Sequence, residues 1–268
     1  MIRRARHASP VVAALAAMLV GTATQAATVA LVIDDLGYNR DRARRALALP
    51  PPVTAAVLPD APYTPQIARA AERAGISLLV HMPMQGNEDN MHAGFLRTGM
   101  SREHFRQRVR QGLARVPGAI GVNNHMGSVL TTDRDAMDRL MHELRAAPTP
   151  LLFLDSRTTA DSVAFDAADR AGVATTRRDV FLDNDLDPAA IERQFQHWLR
   201  KAHATGCALA IAHPHPETLV VLERLLPHMK GVRRVGIAEY VRVCGRPATP
   251  KPAQVATRAE DPPGRRQR

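Results

Sequence analysis

The chain has 268 residues and carries 36 Lys and Arg against 26 Asp and Glu, a formal net charge of +10. Hydrophobic residues at 45% and charged residues at 23% are ordinary globular values and argue against a disordered or collagen-like chain. Aromatics at 4% argue against a stacked platform for single-stranded nucleic acid, and 2 Cys are too few for a disulfide scaffold or a Cys-rich zinc module.

Residues 1–27 read as a secretory signal peptide. Arg3, Arg4 and Arg6 form a basic start, an apolar run extends from Val11 to Val20, and small residues up to Ala27 suit cleavage near Ala26. The apolar run is about ten residues, whereas a spanning helix needs roughly 20. The expected product is therefore periplasmic or secreted from a bacterium, with no membrane span after cleavage. In an oxidising compartment Cys207 and Cys244 can pair, or they can remain as buried thiols.

Short apolar runs then alternate with helical patterns. Strands are expected at 29–33, 53–58, 76–80, 119–122, 151–154, a weaker pair near 173–175 and 180–182, 208–212 and 232–237. These are mostly continuous apolar runs, as parallel strands covered on both faces require. A first helix is expected within 38–49, and Thr64-Pro65 opens a second. Met137, Leu140, Met141 and Leu144 keep helical spacing behind Thr132 or Asp133 as cap. Asp187 caps another helix with Pro188 at its first position, and Ile191, Phe195, Trp198 and Leu199 form its buried stripe. Repeated strand–helix units predict one α/β domain over 28–245, a (β/α) barrel rather than an open doubly wound sheet. No Gly-rich phosphate loop is present. Residues 246–268 are Pro- and Arg-rich, lack periodic apolar residues and are expected to be a disordered tail. Much of the positive charge sits at the two ends of the chain, so no nucleic-acid partner is expected.

The strand ends carry the chemistry. Apolar runs lead into Asp34-Asp35, His81, Asn123-Asn124-His125, Asp155-Ser156, Asp183-Asn184 and His213-Pro214-His215. In a parallel barrel all of these C-terminal ends open on one mouth. Asp and neutral His suit a divalent transition metal, zinc above all. Adjacent carboxylates can divide the labour: one binds metal, the other takes a proton from the attacking water. Neighbouring side chains of an extended segment point apart, so a tight turn at Leu36-Gly37 is expected to bring both to bear. The competing reading makes Asp34-Asp35 the cap of the first helix. His213 could protonate a leaving group. His215 reads as a helix cap or surface residue. His92, His104, His142, His197, His203 and His228 fall on helices or loops and read as structural.

The string Ala30-Leu-Val-Ile-Asp-Asp-Leu-Gly37 resembles the opening motif of the divergent polysaccharide deacetylases, a branch of the NodB-like carbohydrate esterase family 4 superfamily. Matching motifs follow in order at 79–84, 121–128, 152–156, 178–183 and 210–214. The resemblance implies a distorted (β/α) barrel of about seven parallel strands and a metal-dependent hydrolase acting on N-acetyl groups of a polysaccharide. It maps Asp34 to a general base, Asp35 and His81 to metal ligands, and His213 to a general acid. A second His is expected four residues after His81, where this chain has Gln85. His125, on the next strand end, is its expected replacement. Asp155 is a reserve ligand or a partner that orients a His, and Asn124 is a candidate supporting residue. The Gln85 departure keeps two alternatives: a non-catalytic periplasmic glycan-binding or regulatory protein on the same barrel, and a hydrolase of another amide or a phosphoester.

Overall fold

A computed structural model describes residues 26–87 and 94–249. The expected signal segment before Ala26, the tail beyond Thr249 and His92 lie outside the described residues. Among the described residues nine strands are present: β1 (Ala27–Leu36), β2 (Thr54–Val57), β3 (Ser77–Met84), β4 (Ala119–Met126), β5 (Leu152–Asp155), β6 (Thr175–Arg177), β7 (Val180–Phe181), β8 (Cys207–Ala212) and β9 (Val232–Arg234). The helices are α1 (Arg40–Leu47), α2 (Thr64–Arg73), α3 (Arg102–Arg115), α4 (Arg134–Ala146), α5 (Ala164–Ala171), α6 (Pro188–Thr205), α7 (Pro216–Leu225) and α8 (Ile237–Cys244).

All strand pairs are parallel, in the order β6-β5-β4-β3-β2-β1-β8-β7, with β9 added beside β1. β9 pairs Ala27–Val29, and β2 takes over from Val32. β6 pairs with β5 and β7 with β8. Between them, Arg178 N–H donates to Asp155 O and Asp179 N–H to Leu209 O, both at 2.9 Å. One stretch of chain thus crosses from one sheet edge to the other. Counted as a single stave it gives seven around a distorted barrel, plus the short β9.

Caps placed the helices as their sequences dictate. Asp133, not Thr132, caps α4, accepting from Ala136 N at 3.1 Å, and Asp187 caps α6. Asn39 caps α1 through Arg42 N at 3.0 Å, so Asp34 and Asp35 do not serve as that cap. The run 232–237 is only half strand. Val235 N–H still bonds Val29 O, but Gly236 ends the run and Ile237 opens α8, whose Ile237, Tyr240 and Val241 face inward at helical spacing.

Strand alternation sorts the core into two layers. Val29, Leu31, Ile33, Leu78, Val80, Phe153, Ala208 and Ala210 face the surrounding helices. Ala30, Val32, Leu79, Leu152, Leu154, Leu209 and Ile211 form a second cluster with Ile237, Tyr240 and Val241 of α8, which fills the barrel floor. Cys207, opening β8, and Cys244, ending α8, are joined in a disulfide with Cα atoms 6.0 Å apart, which fixes that floor helix covalently. The bond closes a loop with a sequence separation of 37, which chain-entropy arguments value at about 4 kcal/mol. Replacing both cysteines by serine is expected to lower the melting temperature by about 10 °C, read by thermal unfolding of the oxidised wild type against the variant.

The hydrogen-bonded chain runs past Gly245. Arg246 and Thr175 exchange backbone bonds of 2.7 and 2.8 Å, and Arg145 Nη1 donates to Thr249 O at 2.8 Å. Hydrogen bonding among the described residues therefore continues through Arg246 and Thr249, past the expected boundary at 245. Among the described residues no helix is long and apolar enough to cross a membrane.

Candidate active site

The inner strand parity delivers the site. Counting in twos from inner-layer residues reaches Val32 to Asp34, Leu79 to His81, Gly121 to Asn123 and His125, Leu154 to Ser156, Phe181 to Asp183, and Ile211 to His213. The strands are parallel, so these side chains gather at one mouth. Asp35 has the wrong parity for that mouth, and the backbone corrects it. Asp35 takes a left-handed φ of 57°, and the β1–β2 register shifts between Ile33 and Leu36. The bend is thus at Asp35 itself, one residue before the expected turn at Leu36-Gly37. Met126 and Arg157 also have positive φ, 55° and 50°. All three of these uncommon conformations lie at strand ends of this rim, where strain is characteristically stored.

Three atoms converge there. His125 Nδ1 lies 2.8 Å and His81 Nε2 3.0 Å from Asp35 Oδ1, and the two nitrogens are 3.2 Å apart. Asp35 Oδ1 is buried, yet neither ring presents an N–H to it in hydrogen-bonding geometry. Burial pushes the Asp35 carboxyl up, but the two imidazoles outweigh it and hold the group well below the usual carboxylate range. A buried carboxylate oxygen and two imidazole nitrogens on one small triangle call for a cation. Tetrahedral zinc with bonds of about 2.0–2.1 Å needs ligand atoms about 3.3–3.4 Å apart, so the residues present fit a metal after a small expansion.

Asp34 is buried behind this triangle, its Oδ2 3.7 Å from His81 Nε2. Asn123 Nδ2 donates to its two oxygens at 2.9 and 3.1 Å and to Ser156 Oγ at 3.1 Å. Burial raises the Asp34 carboxyl above its ordinary value, against the opposing charges of His81 and His213. Across the mouth, Asp183 clamps His213. Asp183 Oδ1 lies 3.0 Å from His213 Nδ1, and its Oδ2 accepts from His213 N at 2.7 Å and from Thr218 Oγ1 at 2.9 Å. Burial alone would lower the His213 pKa, but Asp183 reverses this and raises it to about 9. Asp183, His213 and His215 lie close enough to suggest a second ligand set. Both Asp183 oxygens are already engaged, so this is a buttressed histidine rather than a cation pocket.

The remaining expected residues divide. Asp155 is not a ligand and touches no histidine. It has outer parity, and its oxygens accept from Arg157 N and Ser162 Oγ, both at 2.8 Å, which pins the turn after β5. Asn124 supports the rim, donating to Met126 O and accepting from Ser156 N, both at 2.8 Å. Gln85 stays out of the cluster, its Oε1 held by Thr98 N and Oγ1 at 2.9 Å. His215 begins α7 without a capping side-chain bond. His104, His142, His197 and His203 lie on α3, α4 and α6, and His228 on a short 3₁₀ turn. Asn123, Ser156 and Asp183 stood among the expected strand-end residues but were given no role from sequence, although counting in twos from the inner-layer residues reaches all three. Arg178 stacks 3.6 Å from the Phe181 ring and donates to Ser156 O and Arg157 O at 2.6 Å, fixing this wall.

The site lines a cavity of about 280 Å³ whose walls include Ser128, Ser156, Thr158 and Phe181. A second cavity of about 180 Å³, between Tyr38, Arg42, Pro214 and His215, shares Asp35 and His213 with it.

A barrel with an Asp/His cluster at its strand ends, facing a buried carboxyl and a clamped histidine, has the build of a hydrolase-type fold with residues that could hold a metal ion. The sequence profile of the divergent polysaccharide deacetylases matches residues 31–241, and the chain belongs to that family. It is 36% identical over 217 residues to the protein YibQ of Escherichia coli (strain K12), covering 80% of this chain and 67% of that one. The crystal structure of ATU2773 from Agrobacterium tumefaciens C58 superposes with a TM-score of 0.75 at 23% identity, covering 81% of this chain and 90% of that one. The Bc1960 peptidoglycan N-acetylglucosamine deacetylase superposes at 0.52 and 11% identity, covering 80% and 87%. These two share the fold.

Proposed function

We propose that the protein is an exported, metal-dependent hydrolase that removes N-acetyl groups from an envelope or exported polysaccharide. The observation that carries this is the placement of three converging ligand atoms between a buried carboxyl, Asp34, and a clamped imidazole, His213, around one open cavity. Family membership and the fold shared with a peptidoglycan deacetylase support the acyl-amide chemistry. Asp35, His81 and His125 would hold the metal, zinc in the first instance, which when bound supplies Lewis-acid polarisation of the acetamide carbonyl. Asp34 takes the proton from the attacking water, and burial makes its carboxylate more basic than an exposed one. His213, charged at neutral pH, gives a proton to the amine nitrogen as the C–N bond breaks. Acetate and a free amino sugar result. Ser128, Thr158 and Phe181 wall the cavity of about 280 Å³, and the adjoining cleft beside Tyr38 leaves room for a continuing chain.

The test is acetate release from N-acetylated oligosaccharides by zinc-loaded protein. Full metal content with no release from any acetylated glycan would replace this reading with the glycan-binding one. The pH profile carries a second expectation. A pKa raised from 6.5 to about 9 means that His213 stays protonated through neutrality. Its contribution to stability is complete below about pH 6.5 and fades as pH rises through about 9. Turnover that needs its proton should fall about tenfold per pH unit above 9, and His213→Gln should abolish that limb along with most activity. A rate still rising at pH 10 would remove His213 from the role of acid. Export is proposed on the same footing, supported by the Cys207–Cys244 bond, which suits an oxidising compartment. Mature periplasmic protein should begin near Ala27.

A further inference from the structure

We propose that Asn123 is a positioning residue that sets the tautomer of His81, using the Asp34 carboxylate as its reference. This rests on the metal-binding reading of the cluster. Asn123 is fully buried on the inner face of β4, beside His81 in the β3–β4 register. Its side-chain nitrogen faces both Asp34 oxygens at 2.9 and 3.1 Å, and since a carboxyl carries at most one O–H, at least one of these oxygens must accept, which makes the facing atom a donor. That fixes which end of the amide is oxygen. The oxygen then points at His81 Nδ1, 3.0 Å away, and can only accept there. His81 must therefore carry its proton on Nδ1. A neutral ring so protonated has its lone pair on Nε2, the atom 3.0 Å from Asp35 Oδ1 and 3.2 Å from His125 Nδ1.

The chain of consequence runs from carboxylate to amide to ring. Asp34 orients Asn123, Asn123 orients and protonates His81 on its far side, and the near nitrogen is left bare for a metal. Histidine ligands generally owe their tautomer to the bond made by the other ring nitrogen. The unusual feature here is that the partner is an amide, whose own orientation is dictated by the residue proposed as the base. Ser156 Oγ, also accepting from Asn123 Nδ2, completes the fixing of that end. One side-chain amide thus ties the residue proposed to move the proton to a residue proposed to hold the ion.

The direct experiment is long-range proton–nitrogen NMR on the full mature protein, labelled with ¹⁵N-histidine, freed of metal with a chelator and recorded above the pH at which His81, whose pKa Asp34 and Asp35 raise, becomes neutral. Peaks of His81 are assigned by their loss in His81→Asn. A protonated-type Nδ1 and a bare-type Nε2 are expected. A proton on Nε2, as a protonated Asp34 donating to a flipped amide would produce, overturns the proposal. The second arm is Asn123→Leu, with Ser156→Ala as a control that keeps both Asp34–Asn123 and Asn123–His81. Asn123→Leu should lose the tautomer preference and weaken Zn²⁺ affinity, measured against a competing chelator dye, by about 10–100-fold. Ser156→Ala should change affinity much less. An Asn123→Leu protein with unchanged tautomer and unchanged affinity overturns the proposal. If that variant does not fold, the wild-type tautomer decides alone. Wild-type protein that is folded but takes up no Zn²⁺ refutes the metal reading, and the tautomer spectrum separates that failure from this one.

Discussion

Replacing His125 by alanine is expected to abolish Zn²⁺ uptake at the proposed site and leave the domain folded. Its ring supplies one of three convergent atoms and lies at the mouth, 20% exposed, above the packed layers of the barrel. Its ring lies against Asp35 and His81 and is tilted 57° to the buried Phe95 ring, with the centroids 6.1 Å apart. The loss of affinity should exceed the roughly 100-fold cost of deleting an outer partner of a ligand. The melting temperature of the metal-free protein should stay within a few degrees, because substitutions outside the core usually cost about 0.5 kcal/mol or less. Elemental analysis and thermal unfolding of the same preparation read both effects. If His125→Ala keeps its full metal while His213→Ala loses it, the ligand and acid assignments are exchanged.

Asp34→Asn should give the complementary result, with metal retained and turnover lost. An asparagine can keep its oxygen toward Asn123 Nδ2, so the amide stays oriented and His81 keeps its bare nitrogen. What disappears is the carboxylate that takes the proton. The expected fall in kcat is about 10²–10⁴, the usual worth of a general base, or about 3–5 kcal/mol of barrier. Kd for Zn²⁺ should change by less than the effect of Asn123→Leu. Metal loss in Asp34→Asn equal to that in His125→Ala would make Asp34 a ligand instead of a base.

The barrel was legible because its strands are short apolar runs ending in polar groups, and six of those ends are separated by capped, amphipathic helices. The strand ends alone brought Asp34-Asp35, His81 and His125 to one mouth, and the family resemblance then picked out Asp35 and His81, with His125 in place of the second motif histidine. Most of the errors came from faces rather than from elements. Parallel strands apolar on both sides give no alternation to count from, so Asp155 and Ser156 looked equivalent until the inner layer was known. Ser156 follows Leu154 inward, while Asp155 follows Phe153 outward to bond its own turn. The same ambiguity hid Asn123 behind Asn124, and Asp183 behind the more conspicuous His213. The bend at Asp35 was also beyond pattern reading, since a left-handed aspartate has no period and only its backbone shows it. At the far end, the run from Val232 looked like one strand because Val235 and Ile237 are both buried. Gly236 between them turns a strand into a helix.

The Cys207–Cys244 bond lies at the opposite end of β8 from His213. Six residues of strand separate the covalent brace from the chemistry by about 20 Å. A thiol reductant therefore reaches the anchorage of the floor helix without disturbing the geometry of the ligand atoms. Inactivation in a reducing medium should then be all-or-none per molecule. The surviving fraction would keep its native metal affinity and rate, while the population of folded molecules shrinks. Oxidation state would govern how many sites exist, and the rim residues would govern what each one does.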